Sequence, residues 1–210
     1  MFQIKLDKKV KNDFKKHSFW IFKRGSDVSI SLLLLPLFIL ISVILLFLNI
    51  FYNKGTVYFI QKRMGKDCKA FNAIKFRSMT RIDSVSRKYY EPLEENRITR
   101  LGHILRKTKI DELPQILNVI LGDMSLIGPR PDFYDHALSF LDQVPSYRHR
   151  HKIRPGITGL SQIRLGYAEG LIATKKKSKI DIYYIENLSF LLDLKIFVGT
   201  ILVIINGFRK

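Results

Sequence analysis

The chain has 210 residues, 47% of them apolar and 26% charged, proportions that exclude a disordered tail, a collagen-like repeat or a low-complexity chain. Its 36 Lys and Arg against 18 Asp and Glu leave a formal charge of +18, which points to an anionic partner: nucleic acid, an acidic membrane surface or phosphorylated small molecules. A single cysteine, Cys68, excludes an internal disulfide and a Cys-rich zinc site.

From Val28 to Tyr52 the chain runs 25 residues without a formal charge, long enough to reach across a bilayer core. The run starts too late for a removable secretory signal and has no small-residue cleavage site, so it reads as retained. Pro36 removes a backbone hydrogen bond inside it and predicts a kink or break. Both flanks are basic, with eight Lys and Arg from Lys5 to Arg24 on one side and Lys54, Lys62, Arg63 and Lys66 on the other. The positive-inside rule would hold both flanks in the cytoplasm, which predicts a hairpin that dips in and returns; a single-pass helix kinked at Pro36 fits the residues equally well. These features divide the chain into a basic segment with its apolar helix, residues 1–52, and one further domain, residues 53–210.

Thr56 to Met79 predicts a β-hairpin, because two stretches rich in aromatic and branched residues flank Gly65-Lys66-Asp67. Thr80 to Asn96 is polar, contains Pro92 and reads as a surface loop. Helical patterns follow at Ile98–Lys107, Leu113–Leu121, Phe133–Leu141 and Ala173–Tyr184. Ile196 to Phe208 is apolar for 13 residues, too short to span, and suits either a membrane interface or a buried core helix. Two stiff turns, Gly128-Pro129-Arg130-Pro131 and Arg154-Pro155-Gly156-Ile157-Thr158-Gly159, each carry an arginine on a constrained backbone, which suits ligand binding.

The chemistry centres on Arg106 to Gln115, where the adjacent carboxylates Asp111 and Glu112 follow a cationic run and precede Pro114 and an apolar helix. One reading makes Asp111 a helix N-cap. The other uses the helix start to hold an ionised aspartate beside a phosphate, where it attacks phosphorus while Glu112 serves as base or orienting group. Phosphoryl transfer also needs its negative charge neutralised, for which Mg²⁺ and the arginines Arg106, Arg130 and Arg154 are suited. The five histidines show no paired metal-ligand spacing, and no P-loop or Rossmann glycine motif occurs. The run Lys175 to Lys179 reads as a solvated face, or as an attraction to anionic lipid.

Taken in order, the Pro-broken apolar run, QKRMG (61–65), KFRSM (75–79), the stretch 105–131, RPGITGLSQ (154–162) and Asp181 to Ile196 resemble the bacterial sugar transferases, the monotopic phosphoglycosyl transferases. The resemblance implies an α+β, mainly helical, monotopic membrane protein with a re-entrant helix broken at Pro36, a small β-hairpin and interfacial amphipathic helices. It implies transfer of a phosphosugar from a UDP-sugar to undecaprenyl phosphate with loss of UMP, the first membrane step of a surface glycan. In that family the Asp of the Asp-Glu pair carries the phosphosugar covalently beside Mg²⁺, for which Mn²⁺ can substitute; here the pair is Asp111 and Glu112, with Asp111 also the metal ligand. Lys75, Arg77, Arg106, Arg130, Arg154, Gln162 and Asp181 match positions implied to bind substrate or phosphate. The implied setting is the cytoplasmic face of the bacterial inner membrane, with anionic lipids as neighbours, no nucleic acid, and self-association allowed. The chain departs from the pattern in having Leu35-Pro36 where relatives often have Ser-Pro. It also departs after Gln162, where IRLGYAEG replaces an Asn-Gly-Arg-like segment and leaves Arg164 without a clear counterpart. The competing reading, a membrane-tethered binder of nucleic acid or lipid that uses the charge alone, gives the Asp-Glu pair no role.

Overall fold

The computed structural model describes residues 2–52, 55–81, 91, 94–166 and 170–206, with side chains from Ser18 onward. Two helices open the chain, α1 (Phe2–Leu33) and α2 (Leu35–Tyr52), separated by the single turn residue Leu34. The helical hydrogen bonds Leu34 N to Ile30 O and Phe38 N to Leu34 O flank the position where Pro36 has no N–H to give, so the interruption falls where the proline predicts it. Helix α1 begins far upstream of the apolar run, because nothing between Phe2 and Gly25 breaks a helix. Among the described residues α2 is the one helix long and apolar enough to cross a membrane, by length and composition.

The hairpin follows as predicted: β1 (Tyr58–Met64) pairs antiparallel with β2 (Ala70–Phe76), Phe59 opposite Lys75. Its turn is a 3-10 segment in which Asp67 and Cys68 adopt positive φ. Of the expected loop 80–96, Pro92 and most of its neighbours lie outside the described residues, and a short 3-10 turn, Glu95–Arg97, ends it. Next come α3 (Arg100–Thr108), α4 (Gln115–Leu121), β3 (Ser125–Ile127), α5 (Tyr134–Gln143), β4 (Gly156–Thr158), α6 (Leu160–Leu165), α7 (Leu171–Glu186) and α8 (Phe190–Asn206). Sequence periodicity missed β3, β4 and α6, which are too short to show one. Strands β3 and β4 pair in parallel and bring the two proline-rich turns together. A Cβ on Gly156 would lie 2.1 Å from the Gly128 nitrogen, so only glycine permits this approach.

Phe38 and Leu45 of α2 pack in one core with Phe76, Leu105 and Ile116, the Phe38 and Phe76 rings stacked at 5.9 Å. The opposite side of α2 leaves Ile39, Leu40, Val43 and Phe47 exposed. Helix α8 divides in the same way. Ile196 is fully buried against Tyr184 and Leu160, as the core-helix expectation has it, while Val198, Leu202 and Ile205 are exposed on its other face.

Polar residues of α1 clamp these layers. Lys23 and Arg24, counted above with the basic flank, turn inward: Lys23 pairs with Asp193 of α8 at 2.7 Å, and Arg24 donates to the carbonyls of Val119 and Ile120. Asp27 accepts from the Ser125 hydroxyl at 2.6 Å and the Leu126 N–H at 3.2 Å. Asn118 of α4 covers the free edge of β2, accepting from Ile74 N and donating to Asn72 O, and so fixes α4 beside Lys75.

Candidate active site

Helix α3 ends where Lys109 takes the left-handed conformation, φ 60°, and a 3-10 turn, Ile110–Glu112, leads into α4. Asp111 and Glu112 therefore sit in a tight corner between helices, 8% and 7% exposed. The N-cap reading of Asp111 fails here, because Pro114 occupies the cap position of α4 and buried Asp111 Oδ1 bonds to no protein donor. The dipole reading is corrected as well. The N–H groups of Glu112 and Leu113 close the 3-10 turn onto Lys109 and Ile110. Side-chain cations set the field at this corner instead.

Those cations converge on Glu112. Lys75 Nζ donates to Oε1 at 2.8 Å, and the Arg130 guanidinium grips both oxygens in a fork. Burial opposes ionisation of Glu112, but Arg130 and Lys75 outweigh it and hold the carboxyl well below its ordinary range. Both of its oxygens are taken up by these cations, an arrangement that suits an orienting group better than a base. Asp111 behaves oppositely: burial pushes its carboxyl up, Lys75 draws it down, and Glu112 adds to the rise. One carboxylate is thus spent on fixing cations, and its neighbour keeps an oxygen in reserve.

The pair faces a cavity of about 1110 Å³ with two kinds of wall. Its lining includes Gln61, Arg63, Lys75, Arg77, Arg106, Lys109, Arg130 and Gln162 together with Phe19, Phe22, Ile30 and Leu37 of α1 and α2 and Leu194, Phe197 and Ile204 of α8. A ligand with a polyanionic head and an apolar tail matches such a cavity. Of the residues predicted from sequence, Asp111, Glu112, Lys75, Arg77, Arg106, Arg130 and Gln162 all reach it. Arg77 is held by Thr56, its Nε donating to the carbonyl at 2.7 Å, and Gln162 donates to Ile157 O at 3.2 Å while its Oε1 is buried without a partner. Arg154 and Asp181 do not line the cavity. Arg154 donates to Gly122 O at 2.7 Å and caps the end of α4; Asp181 forms an ion pair with Arg150 at 2.8 Å. Arg164 also lies off the cavity wall, over the Tyr183 ring.

Sequence reasoning missed Asp132 and misread Lys177. Lys177, taken with a solvated run, turns into the cavity wall and pairs with Asp132 at 2.5 Å, whereas Lys175, Lys176 and Lys179 are exposed. The four-residue spacing of Lys177 and Asp181 on one helix face was the available signal. Burial opposes ionisation of Asp132, yet Lys177 and Arg150 hold its carboxyl far below the ordinary value.

His151, 5% exposed, lies behind this wall, and its Nδ1 must carry the proton to donate to Gly65 O at 3.1 Å. Burial and then the adjacent Arg150 bring its pKa down to about 4, against the smaller opposing pull of Asp132 and the added push of Lys177. The unfolded chain therefore binds a proton below pH ~6.5 that the folded chain refuses, so this contribution is complete above that value. It declines by roughly 3 kcal/mol as pH falls toward about 4. Across that window the denaturation midpoint should fall more steeply for the wild type than for His151→Asn; parallel curves would refute this role.

The corner, the cationic wall and the apolar helices define a class of protein. The family profile described as Bacterial sugar transferase matches residues 18–207, and the chain belongs to that family. Among its relatives, the UDP-N-acetylgalactosamine-undecaprenyl-phosphate N-acetylgalactosaminephosphotransferase of Aeromonas hydrophila is 41% identical over 89% of this chain and 44% of its own length. The exopolysaccharide production protein PSS of Rhizobium leguminosarum bv. phaseoli is 40% identical over 86% of this chain and 94% of its own. The UDP-glucose:undecaprenyl-phosphate glucose-1-phosphate transferase of Klebsiella pneumoniae is 40% identical over 86% of this chain. The chain spans less than half the length of the Aeromonas and Klebsiella proteins, 44% and 39%.

Proposed function

We propose that this protein transfers a phosphosugar from a UDP-sugar to undecaprenyl phosphate, releases UMP and so initiates assembly of a membrane-borne glycan. The observation that carries this reading is one cavity lined by both cationic and apolar side chains, in which a buried carboxylate oxygen, Asp111 Oδ1, has no protein partner.

Asp111 attacks the phosphorus that bears the sugar; the bond to the bridging oxygen breaks, and UMP departs with the electron pair. The phosphosugar is then an acyl-phosphate on Asp111. A phosphate oxygen of undecaprenyl phosphate attacks the same phosphorus, the Asp111 oxygen leaves, and the carboxylate is restored. Arg130, Lys75 and Arg106 neutralise charge on the phosphoryl oxygens, and Glu112 keeps the first two aligned. The buried Asp111 Oδ1, without a protein donor, suits Mg²⁺, a cation that takes a carboxylate or two and completes its shell with phosphate oxygens and water. Asp111 would hold it, and it would supply charge neutralisation at the diphosphate.

The apolar exposed faces of α2 and α8 support insertion into a membrane, with Lys175, Lys176 and Lys179 available to anionic headgroups. Basic flanks and Pro36 support a re-entrant α1–α2 unit that leaves both ends on the cytoplasmic face of the inner membrane. The detergent-solubilised protein, given undecaprenyl phosphate, Mg²⁺ and a panel of UDP-sugars, should release UMP with one of them. Excess EDTA should stop the reaction, and Mg²⁺ or Mn²⁺ should restore it. No UMP from any sugar would refute the activity, and full turnover in EDTA would refute the cation.

A further inference from the structure

The loop that carries Arg130 cannot hold itself. Pro129 and Pro131 lack N–H groups, so the backbone carbonyls of this segment must find partners elsewhere. All four do. Gly156 N donates to Pro129 O at 3.0 Å, Arg63 Nη1 to Pro131 O at 2.8 Å and Met64 N to Asp132 O at 3.1 Å. The fourth, Arg130 O, receives Arg150 Nη2 at 2.7 Å.

Arg150 is 1% exposed and does not reach the cavity. Its position is set by charge: Nη1 pairs with Asp132, and Nη2 lies 2.8 Å from Asp181 Oδ2, an ion pair by distance without hydrogen-bond geometry. Lys177 pairs with the other oxygen of Asp132, and the Tyr147 hydroxyl donates to Asp132 Oδ2 at 2.7 Å. Two cations and two carboxylates balance in a buried cluster directly behind the residue whose side chain grips Glu112. Buried ion pairs of this kind add little net stability over an apolar core, whereas removing one member leaves a buried charge uncompensated, so each member's geometry depends on the others.

We infer that Arg150 and Asp181 are positioning residues for the transfer reaction, holding the main chain of Arg130 so that its guanidinium stays aligned on Glu112 beside Asp111. This role rests on the reading of Arg130 as a partner of the phosphoryl charge. It also gives Asp181 a function through Arg150 in place of the direct substrate contact implied by resemblance. Removing the Asp181 charge leaves Arg150 drawn only toward Asp132, and the Arg130 carbonyl loses its fixed donor.

The test is UMP release by the full-length chain carrying Asp181→Asn or Arg150→Lys, each measured alone and combined with Arg130→Lys. With Arg130 present, each variant should lower kcat by about 10- to 100-fold, the scale of a small misplacement, while KM for the UDP-sugar stays within about threefold. In the Arg130→Lys background the same changes should cost less than about twofold, because the group they position is already gone. Equal losses in both backgrounds would overturn the inference. So would a raised KM at unchanged kcat, the signature of direct substrate contact, or the unfolding of both variants, the signature of a scaffold. A wild-type protein that releases no UMP from any sugar would instead refute the activity on which this role depends.

Discussion

Asp111→Asn should abolish UMP release and leave the fold at least as stable as before. The side chains are isosteric, and the substitution removes a charge from a buried corner where the carboxylate lacks a full set of partners. Burial raises the Asp111 pKa in the folded chain, so ionising it costs stability as pH rises through the folded value; at neutral pH the Asn variant escapes that cost. An amide, however, cannot form the acyl-phosphate, and loss of a covalent nucleophile typically costs about 10⁴-fold or more in turnover. Steady-state UMP release and a thermal melt in the same detergent measure both effects. Turnover within tenfold of wild type would remove Asp111 from the nucleophile's role, whatever the melt shows.

Arg130→Ala should damage catalysis and stability together. Glu112 would keep only Lys75, leaving a buried carboxylate half paired, a situation that costs about 3 kcal/mol or more. Transition-state charge would lose a fork-shaped donor, for which a fall of about 10²- to 10³-fold in kcat is expected. The pH dependence follows from the depressed Glu112 carboxyl. Its contribution is present above the unfolded value and is lost as pH falls through the folded one. Without Arg130 the folded value rises, so the variant should lose stability at higher pH than wild type during acid titration. A variant with wild-type kcat and an unchanged acid limb would contradict this account of the corner.

Local chemistry made much of this legible from the residues. Alternating aromatic and branched side chains around Gly65-Lys66-Asp67 announce the hairpin; Pro36 marks the helix break; Pro-Arg-Pro marks a stiff turn. The residues singled out the Asp-Glu pair with two readings open, the resemblance favoured the nucleophile, and the fold then separated the pair by partner: Glu112 with two cations, Asp111 with an oxygen spare. What stayed hidden depends on contacts distant in sequence. Charge counting cannot tell Lys23, buried against Asp193, from a lysine at a membrane surface. Composition likewise files Lys177 with its exposed neighbours, although its partner Asp132 lies 45 positions away. Arg154 sits on as stiff a turn as Arg130, but β4 aims it at the end of α4 rather than at the cavity, and no local pattern distinguishes the two.

Intact mass of the full chain tests the covalent step most directly, after incubation with the active UDP-sugar and Mg²⁺ in the absence of lipid acceptor. The expected result is a gain of one phosphosugar that maps to Asp111, disappears on addition of undecaprenyl phosphate and is absent from Asp111→Asn. An unmodified mass under conditions where the complete reaction runs at full rate, or an adduct that persists in Asp111→Asn, would contradict it.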